Sequence, residues 1–482
     1  MALIASKSIQ ILEGYKIRNY LNLILALLLF WPLGIAQAQE QQPDGPIYIV
    51  QAGDTLWDIA QQFGVSMDDL IAENGIADPG QLAVGARLVI PGLEGIQGLL
   101  ITATVPYGEN LKSLSRRYQI SDQYIARLNH YTSPGEIYAG STLIVPETES
   151  DDTPVGVGRV TLRLGQSLLE LAITHDTAPW NLMLENQTPG LSAIIPGETL
   201  YLTGRENDND GPGALPEAIS AVETSSPLIQ GQTLSIELTT PEGASLQGHF
   251  HDQNLNFFRT DAGTYAALQG IYAMLAPGLY PVTIEGQLAD GTPLNFSQQV
   301  YVRDGNYAYD PPLVVDSETT DAHNNEVESE QWFSLVEPVT SEKLWDGAFQ
   351  SPVPAYFSEC FPSLFGNRRS YNESGYEYFH SGLDYCGSTG TDIYAPAPGK
   401  VIFIGELTVR GNATVVDHGW GVYTAYAHQS EFLVAEGDQV ETGQLIGKVG
   451  VTGRVTGPHL HWEVIVGGVQ VDPLQWLQQT FP

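Results

Sequence analysis

Four residues recur along this chain at one fixed spacing, and that spacing makes the N-terminal part a string of small repeated units. Gly53, Asn74, Gly85 and Pro91 stand at offsets 0, 21, 32 and 38 from the first of them. Gly108, Asn129, Gly140 and Pro146 repeat those offsets, and so do Gly165, Asn186, Gly197 and Thr203. Three copies in one register, 55 and 57 residues apart, exclude coincidence. Each copy reads as a short strand ("YIVQ", "ITATV", "VTLRL"), two short helices and a closing strand ("RLVIP", "TLIVP", "TLYLT"). In the first copy Asp54 or Thr55 can cap the first helix, and Ser66 with Asp69 marks the start of the second.

With 482 residues the chain exceeds one core, and about three to four domains are expected. Lys7, Lys16 and Arg18 precede an apolar run of about 16 residues that ends before Ala36-Gln37-Ala38. A basic start, a run short for spanning a bilayer and a small-x-small site read as a signal peptide over residues 1–38, rather than a retained anchor. The expected mature protein is secreted or extracytoplasmic, with no membrane span. Acidic residues outnumber basic ones 56 to 20, for a net charge of -36. Such a polyanion repels nucleic acid and anionic membranes, and points to a partner recognised by shape and hydrogen bonding, such as carbohydrate or peptide.

Residues 204–226, rich in Gly, Pro and acids, read as a linker. Alternating runs over residues 227–303, such as "TLSIELTT" and "LYPVTIEGQL", predict a small antiparallel β-sandwich. Its His249 and His251 have no carboxylate-plus-histidine partner nearby and read as surface residues. Residues 304–330 hold eight acids and no Lys or Arg, and read as a solvated acidic linker. From residue 331 glycine-punctuated strands dominate.

This last part holds five of the ten histidines. In "GPHLHWEV", His459 and His461 stand at i and i+2 of a strand and share a face, while Leu460 turns to the core. In "FHSGLDY", His380 and Asp384 would lie about 13 Å apart on an extended strand, too far to share a metal, so the chain must bend at Gly382. Together these residues form a metal-site candidate. Cys360 and Cys386, the only cysteines, are read as a disulfide.

"GDTLWDIAQQFGVSMDDLIAEN" with "GARLVIP" resembles a LysM domain. The resemblance implies βααβ units over residues 47–92, 100–147 and 158–203 that bind N-acetylglucosamine-containing glycans. The third copy departs from it, with Gly165-Gln166-Ser167 at its start and Thr203 in place of proline. The sugar is expected at Gly53, Asp54, Thr55, Leu56, Asn74, Gly75 and Ile76.

"FHSGLDYCGSTGTDIYAPAPGKVIFIG", "GNATVVDHGWGVYTAYAHQS" and "GDQVETGQLIGKVGVTGRVTGPHLHWEV", in that order, resemble the lysostaphin and LytM family of zinc metallopeptidases. That implies a β-rich domain over residues 331–482 which cleaves peptidoglycan cross-links. It implies Zn2+ ligands at His380, Asp384 and His461, and active-site histidines at His428 and His459. His418 is spare to the ligand count and reads as structural. Tyr376 or Tyr378 would stabilise an oxyanion, and Arg368 and Arg369 would line the groove. The expected architecture is multidomain, α+β and all-β. The expected function is a wall-associated endopeptidase, with peptidoglycan as partner. The alternative, a non-catalytic activator of cell-wall amidases, is disfavoured by the unsubstituted set of five residues.

Overall fold

The asparagine at offset 21 fastens each repeat together. Asn74 Nδ2 donates to Leu70 O (2.9 Å) and Val89 O (2.8 Å), and its Oδ1 accepts from Val89 N (2.6 Å). Asn129 makes the same three bonds with Ile125 and Ile144, and Asn186 with Leu182 and Tyr201. One amide thus ties the second helix to the closing strand, which is why its spacing recurs. These bonds come from a computed structural model, which describes residues 45–482 apart from 94–95, 97, 148–157, 164, 189, 191–193, 195–197 and 203–212. The expected signal peptide and the repeat residues Gly197 and Thr203 lie outside the described residues.

In the first repeat the helices are Leu56–Phe63 and Met67–Asn74. Thr55, not Asp54, caps the first, accepting from Asp58 N, while Asp54 accepts from Tyr48 Oη and Gln51 N instead. The strands of the first two repeats share one four-stranded sheet, because Ile47 pairs in parallel with Leu99. The third repeat has its own pair, Gly158–Thr161 with Thr199–Leu202.

A five-stranded and a four-stranded sheet form the β-sandwich, closed over Leu234, Ile236, Leu238, Val282, Ile284 and Phe296. Much of the expected 204–226 linker belongs to it. Leu215 and Ile219 are buried in its core and strand Ala221–Thr224 pairs with Thr233–Thr239. Apolar residues scattered among the acids and prolines supply that contact.

The acidic segment 304–330 is not a free spacer. Residues 308–313 run beside the two-stranded hairpin Arg368–Arg369 and Tyr378–Phe379: Asp310 N donates to Arg368 O (3.0 Å) and Leu313 N to Ser370 O (2.8 Å). After this strap, helix Ala322–Val336, capped by Asp321, buries Trp332 and Val336 against Leu407, Val415, Tyr423 and Ile465. Its acids face water except Glu328, which with Trp332 and Val336 forms the one buried row of the helix at four-residue spacing.

The C-terminal domain is built on the order Leu383–Cys386, His459–Val466, Val422–Ala427, Gly411–Gly419, Gly399–Leu407, Gln439–Val440. Leu383, Tyr385, Leu460, Trp462 and Val464 fill its core. Cys360 and Cys386 are joined in a disulfide (Cα–Cα 5.4 Å) that ties the preceding loop to the first of these strands. Trp476 Nε1 donates to Thr233 Oγ1 (3.0 Å) and Phe258 stacks on Trp420, which docks the domain on the sandwich.

Candidate functional site

Strand register brings the site together. Asp384 pairs across the sheet with His461, and His461 in turn with Ala427, next to His428. Gly382 matters for close approach rather than for bending: a Cβ there would lie 2.4 Å from Trp462 O and 2.9 Å from His461 Cε1. His428 holds a left-handed backbone (φ 62°), a strained conformation for a side chain of its kind.

His380 Nε2, His461 Nδ1 and Asp384 Oδ1 converge: the contacts are 3.0 Å between the two nitrogens and 2.9 and 2.8 Å from each to the carboxylate. His380 Nδ1 lies 2.8 Å from Leu364 O, which can only accept, so the proton sits on Nδ1 and Nε2 is bare. Burial lowers the His380 pKa to about 4, so the ring is neutral. A bare nitrogen 2.9 Å from a carboxylate oxygen is an acceptor facing an acceptor. Burial lowers the proton affinity of His461, but its hydrogen bonds to Asp384 and Glu463 outweigh this and raise it. A second proton on His461, at Nδ1, would serve one contact of the three, whereas a metal cation serves all of them. The donor set therefore fits a divalent metal with two imidazoles and one carboxylate, and these are the three residues among those described that could hold one.

Sequence reasoning missed the layer behind them. His461 Nε2 donates to Glu463 Oε1 (3.1 Å), and Ser381 Oγ donates to the same oxygen (2.9 Å). Arg410 bridges Glu463 (3.0 Å) and Glu328 (3.2 Å) and lies 3.8 Å over the Trp332 ring. Burial pushes the Glu463 carboxyl up, but Arg410 and His461 overcome it and hold its pKa at about 2. An ionised Glu463 fixes the proton of His461 on Nε2 and turns Nδ1 to the metal position. The signal was present in the H-x-H-x-E alternation, which puts Glu463 on the same strand face as both histidines.

The remaining expected residues divide. His428 and His459 both face the cleft, with ring centroids 5.0 Å apart. Each commits Nδ1–H to a carbonyl, Thr452 O (2.7 Å) and Gly457 O (2.8 Å), and so presents a bare Nε2. The cleft, about 400 Å³, is walled by both histidines, by Asp310, Leu313 and Val315 of the strap, and by Arg369, Arg410 and Arg454. Arg369 is paired with Asp310 and Asp384 at 3.3 Å each. Arg368 points away, donating to Ala273 O (2.9 Å) and lying over Tyr307. Tyr376 Oη donates to Asp310 O and Tyr378 packs on Tyr371; neither lines the cleft.

His418 is buried in the sheet, 2.7 Å from Pro398 O and 2.8 Å from Thr424 Oγ1. Burial lowers its pKa from 6.5 to about 4. A depressed folded-state pKa gives stability that is full above the unfolded value of 6.5 and is lost as pH falls toward 4, by about 3 kcal/mol in all. The domain melting temperature should therefore fall between pH 7 and 4.5, and fall less in His418→Gln. Equal slopes in both proteins would place the acid sensitivity elsewhere.

In the first repeat Gly53, Asp54, Thr55, Gly75 and Ile76 keep at least partial exposure. Leu56 is 2 % exposed in the core, and the Asn74 amide is engaged as described, so neither offers a side chain to a glycan. In the second repeat the same opening turn is covered: Gly108 N donates to Gln298 Oε1 (2.5 Å), Gln298 Nε2 to Glu109 O (3.1 Å) and Ala214 N to Gly108 O (2.9 Å).

Residues 378–473 match the model of peptidase family M23, and residues 48–91 and 103–146 match the LysM domain. The DD-carboxypeptidase/endopeptidase Mpg of Neisseria meningitidis is 47% identical over 95 residues, 20% of this chain and 22% of that protein. The peptidoglycan DD-endopeptidase ShyA of Vibrio cholerae is 43% identical over 96 residues, again 20% and 22%. The chain thus spans about a fifth of the length of the curated relatives it matches. A crystal structure of an M23 peptidase from Pseudomonas aeruginosa aligns with TM-score 0.41 and 27% identity, over 52% of this chain and 95% of that one. The chain therefore carries a peptidase family M23 domain at residues 378–473, preceded by two LysM domains at residues 48–91 and 103–146.

Proposed function

We propose that the protein is an extracytoplasmic, zinc-dependent endopeptidase that cuts peptide cross-links of peptidoglycan while its first LysM domain holds the glycan. The observation that carries this reading is one cleft with three convergent metal-type donors and two further imidazoles bare at Nε2. Zinc held by His380, Asp384 and His461 would supply Lewis-acid polarisation of the scissile carbonyl and lower the pKa of water toward neutrality. His428 is neutral, because burial, then His459 and His461, push its pKa well below the ordinary value. With Nδ1–H committed, His428 and His459 can take the proton of the attacking water at Nε2 and pass it to the leaving amine. The sequence carries no H-E-x-x-H motif, which leaves the proton chemistry to histidine.

The exposed opening turn of the first repeat supports glycan contact there, and the covered turn of the second leaves it a bracket between the first repeat and the sandwich. Among the described residues no helix is long and apolar enough to cross a membrane. Binding to an insoluble polymer raises the local concentration of peptide around the cleft.

Mass spectrometry of the material that the full chain releases from purified walls tests the reading. Fragments cleaved at one kind of peptide bond, with intact glycan, are expected. Release should stop with a chelator and return with zinc. New reducing sugar ends, or no release by zinc-loaded protein, would exclude it.

A further inference from the structure

The cleft holds three arginines in a chain whose net charge is -36, and only two of them are neutralised. Arg369 is paired with Asp310 and Asp384, and Arg410 with Glu328 and Glu463. Arg454 makes no ion pair among the described residues. Its guanidinium lies 4.2 Å over the ring of buried Tyr371, and Nη1 donates to Thr319 O (3.2 Å) in the turn Ser317–Thr320. Glu328, whose charge reaches Arg454, is already engaged by Arg410 and by the backbone N–H groups of Val409 (2.5 Å) and Arg410 (3.2 Å). A guanidinium that is half-buried, aligned by stacking and left with free donors is a site for a planar anion.

We propose that Arg454 reads a free carboxylate of the substrate peptide, which makes the preferred cross-link one between carboxylate-bearing stem peptides rather than an uncharged glycine bridge. The proposal rests on the peptidase reading. Arg454 stands five residues before His459 on the same wall of the cleft, at most about 18 Å away along an extended chain. The carboxylate it reads is therefore within a few residues of the scissile bond. Among the described residues the carboxylates that line the cleft, Asp310, Asp384 and Glu463, are all ion-paired, so the substrate's charge meets an unmatched cation rather than a field of free acids. Tyr371 and the turn that presents Thr319 precede residues 378–473, so this contact is assembled by chain outside the matched peptidase domain.

The test compares two cross-linked muropeptide dimers, identical except that the carboxylates are free in one and amidated in the other. Wild-type full chain should cleave the acid dimer with kcat/KM about 10- to 100-fold higher. In Arg454→Met that ratio should fall to near one, chiefly through KM, and Arg454→Lys should restore part of it. Metal content should stay at one per chain in all three. A ratio in Arg454→Met equal to that of wild type, including equal losses on both dimers, would overturn the proposal. If wild type cleaves neither dimer the peptidase reading itself fails. Calorimetric binding of the acid dimer to chelator-treated full chain then decides on Arg454: tenfold weaker binding in Arg454→Met supports the assignment, and equal binding overturns it.

Discussion

His461→Ala should yield a chain that holds no zinc and hydrolyses cross-linked muropeptides at least about 10,000-fold more slowly, yet still sediments with peptidoglycan. The imidazole supplies one of three convergent donors, and its loss leaves His380 and Asp384 alone, fewer than the three protein ligands of a catalytic zinc site. It also removes the hydrogen bond to Glu463, so substitution disturbs the support as well as the ligand. The glycan contact assigned to the first repeat lies outside this domain and should be untouched. Metal analysis, dimer hydrolysis and sedimentation measured on one preparation separate these effects. Wild-type hydrolysis in a zinc-free His461→Ala chain would sink the mechanism.

The second large effect is expected from Arg410→Ala, a residue that touches no metal ligand directly. Its side chain is 15 % exposed and neutralises Glu328 and Glu463, at 5 % and 1 %. Removing it strands two buried carboxylates and uncovers the face of Trp332. A loss of about 3–5 kcal/mol in stability of the domain is expected, because breaking a buried pair leaves charge without compensation. Metal affinity should fall by about 10- to 100-fold, since Glu463 then no longer orients His461 through a fixed carboxylate. Thermal melting of the metal-free chain reads the first effect, and zinc competition with a chelator the second. Glu328→Gln should weaken both less, since it removes a charge from the cluster without stranding Glu463. Wild-type melting and affinity in Arg410→Ala would show that the cluster neither supports the domain nor orients its ligands.

Parts of this molecule are legible because their physics is local. The H-x-H of His459 and His461 follows from the two-residue period of a strand, and the caps at Thr55 and Ser66 from the need to satisfy the first N–H groups of a helix. The recurring asparagine could be counted in the sequence but not interpreted, since its partner lies 15 residues away on another element. The acidic stretch misled for a related reason. Its composition signals solvation, while the strap's backbone pairing and the burial of Glu328 and Trp332 depend on surfaces supplied by residues 368–465.

Sequence alone determined the repeat and the shared strand face of His459 and His461, because residue type and short spacing are properties of the chain itself, whereas the set His380, Asp384, His428, His459 and His461 was what the resemblance to the metallopeptidase family implied. Only the tertiary structure decided that Asp384 pairs opposite His461, that Glu463, Arg410 and Glu328 stand in line behind the ligand, and that Arg454 has no counter-ion among the described residues. The same holds for the opening turn of the second repeat, covered by Gln298 from 190 residues further on. Strand register and buried charge pairing join residues distant in sequence, and no local pattern encodes which of them will meet.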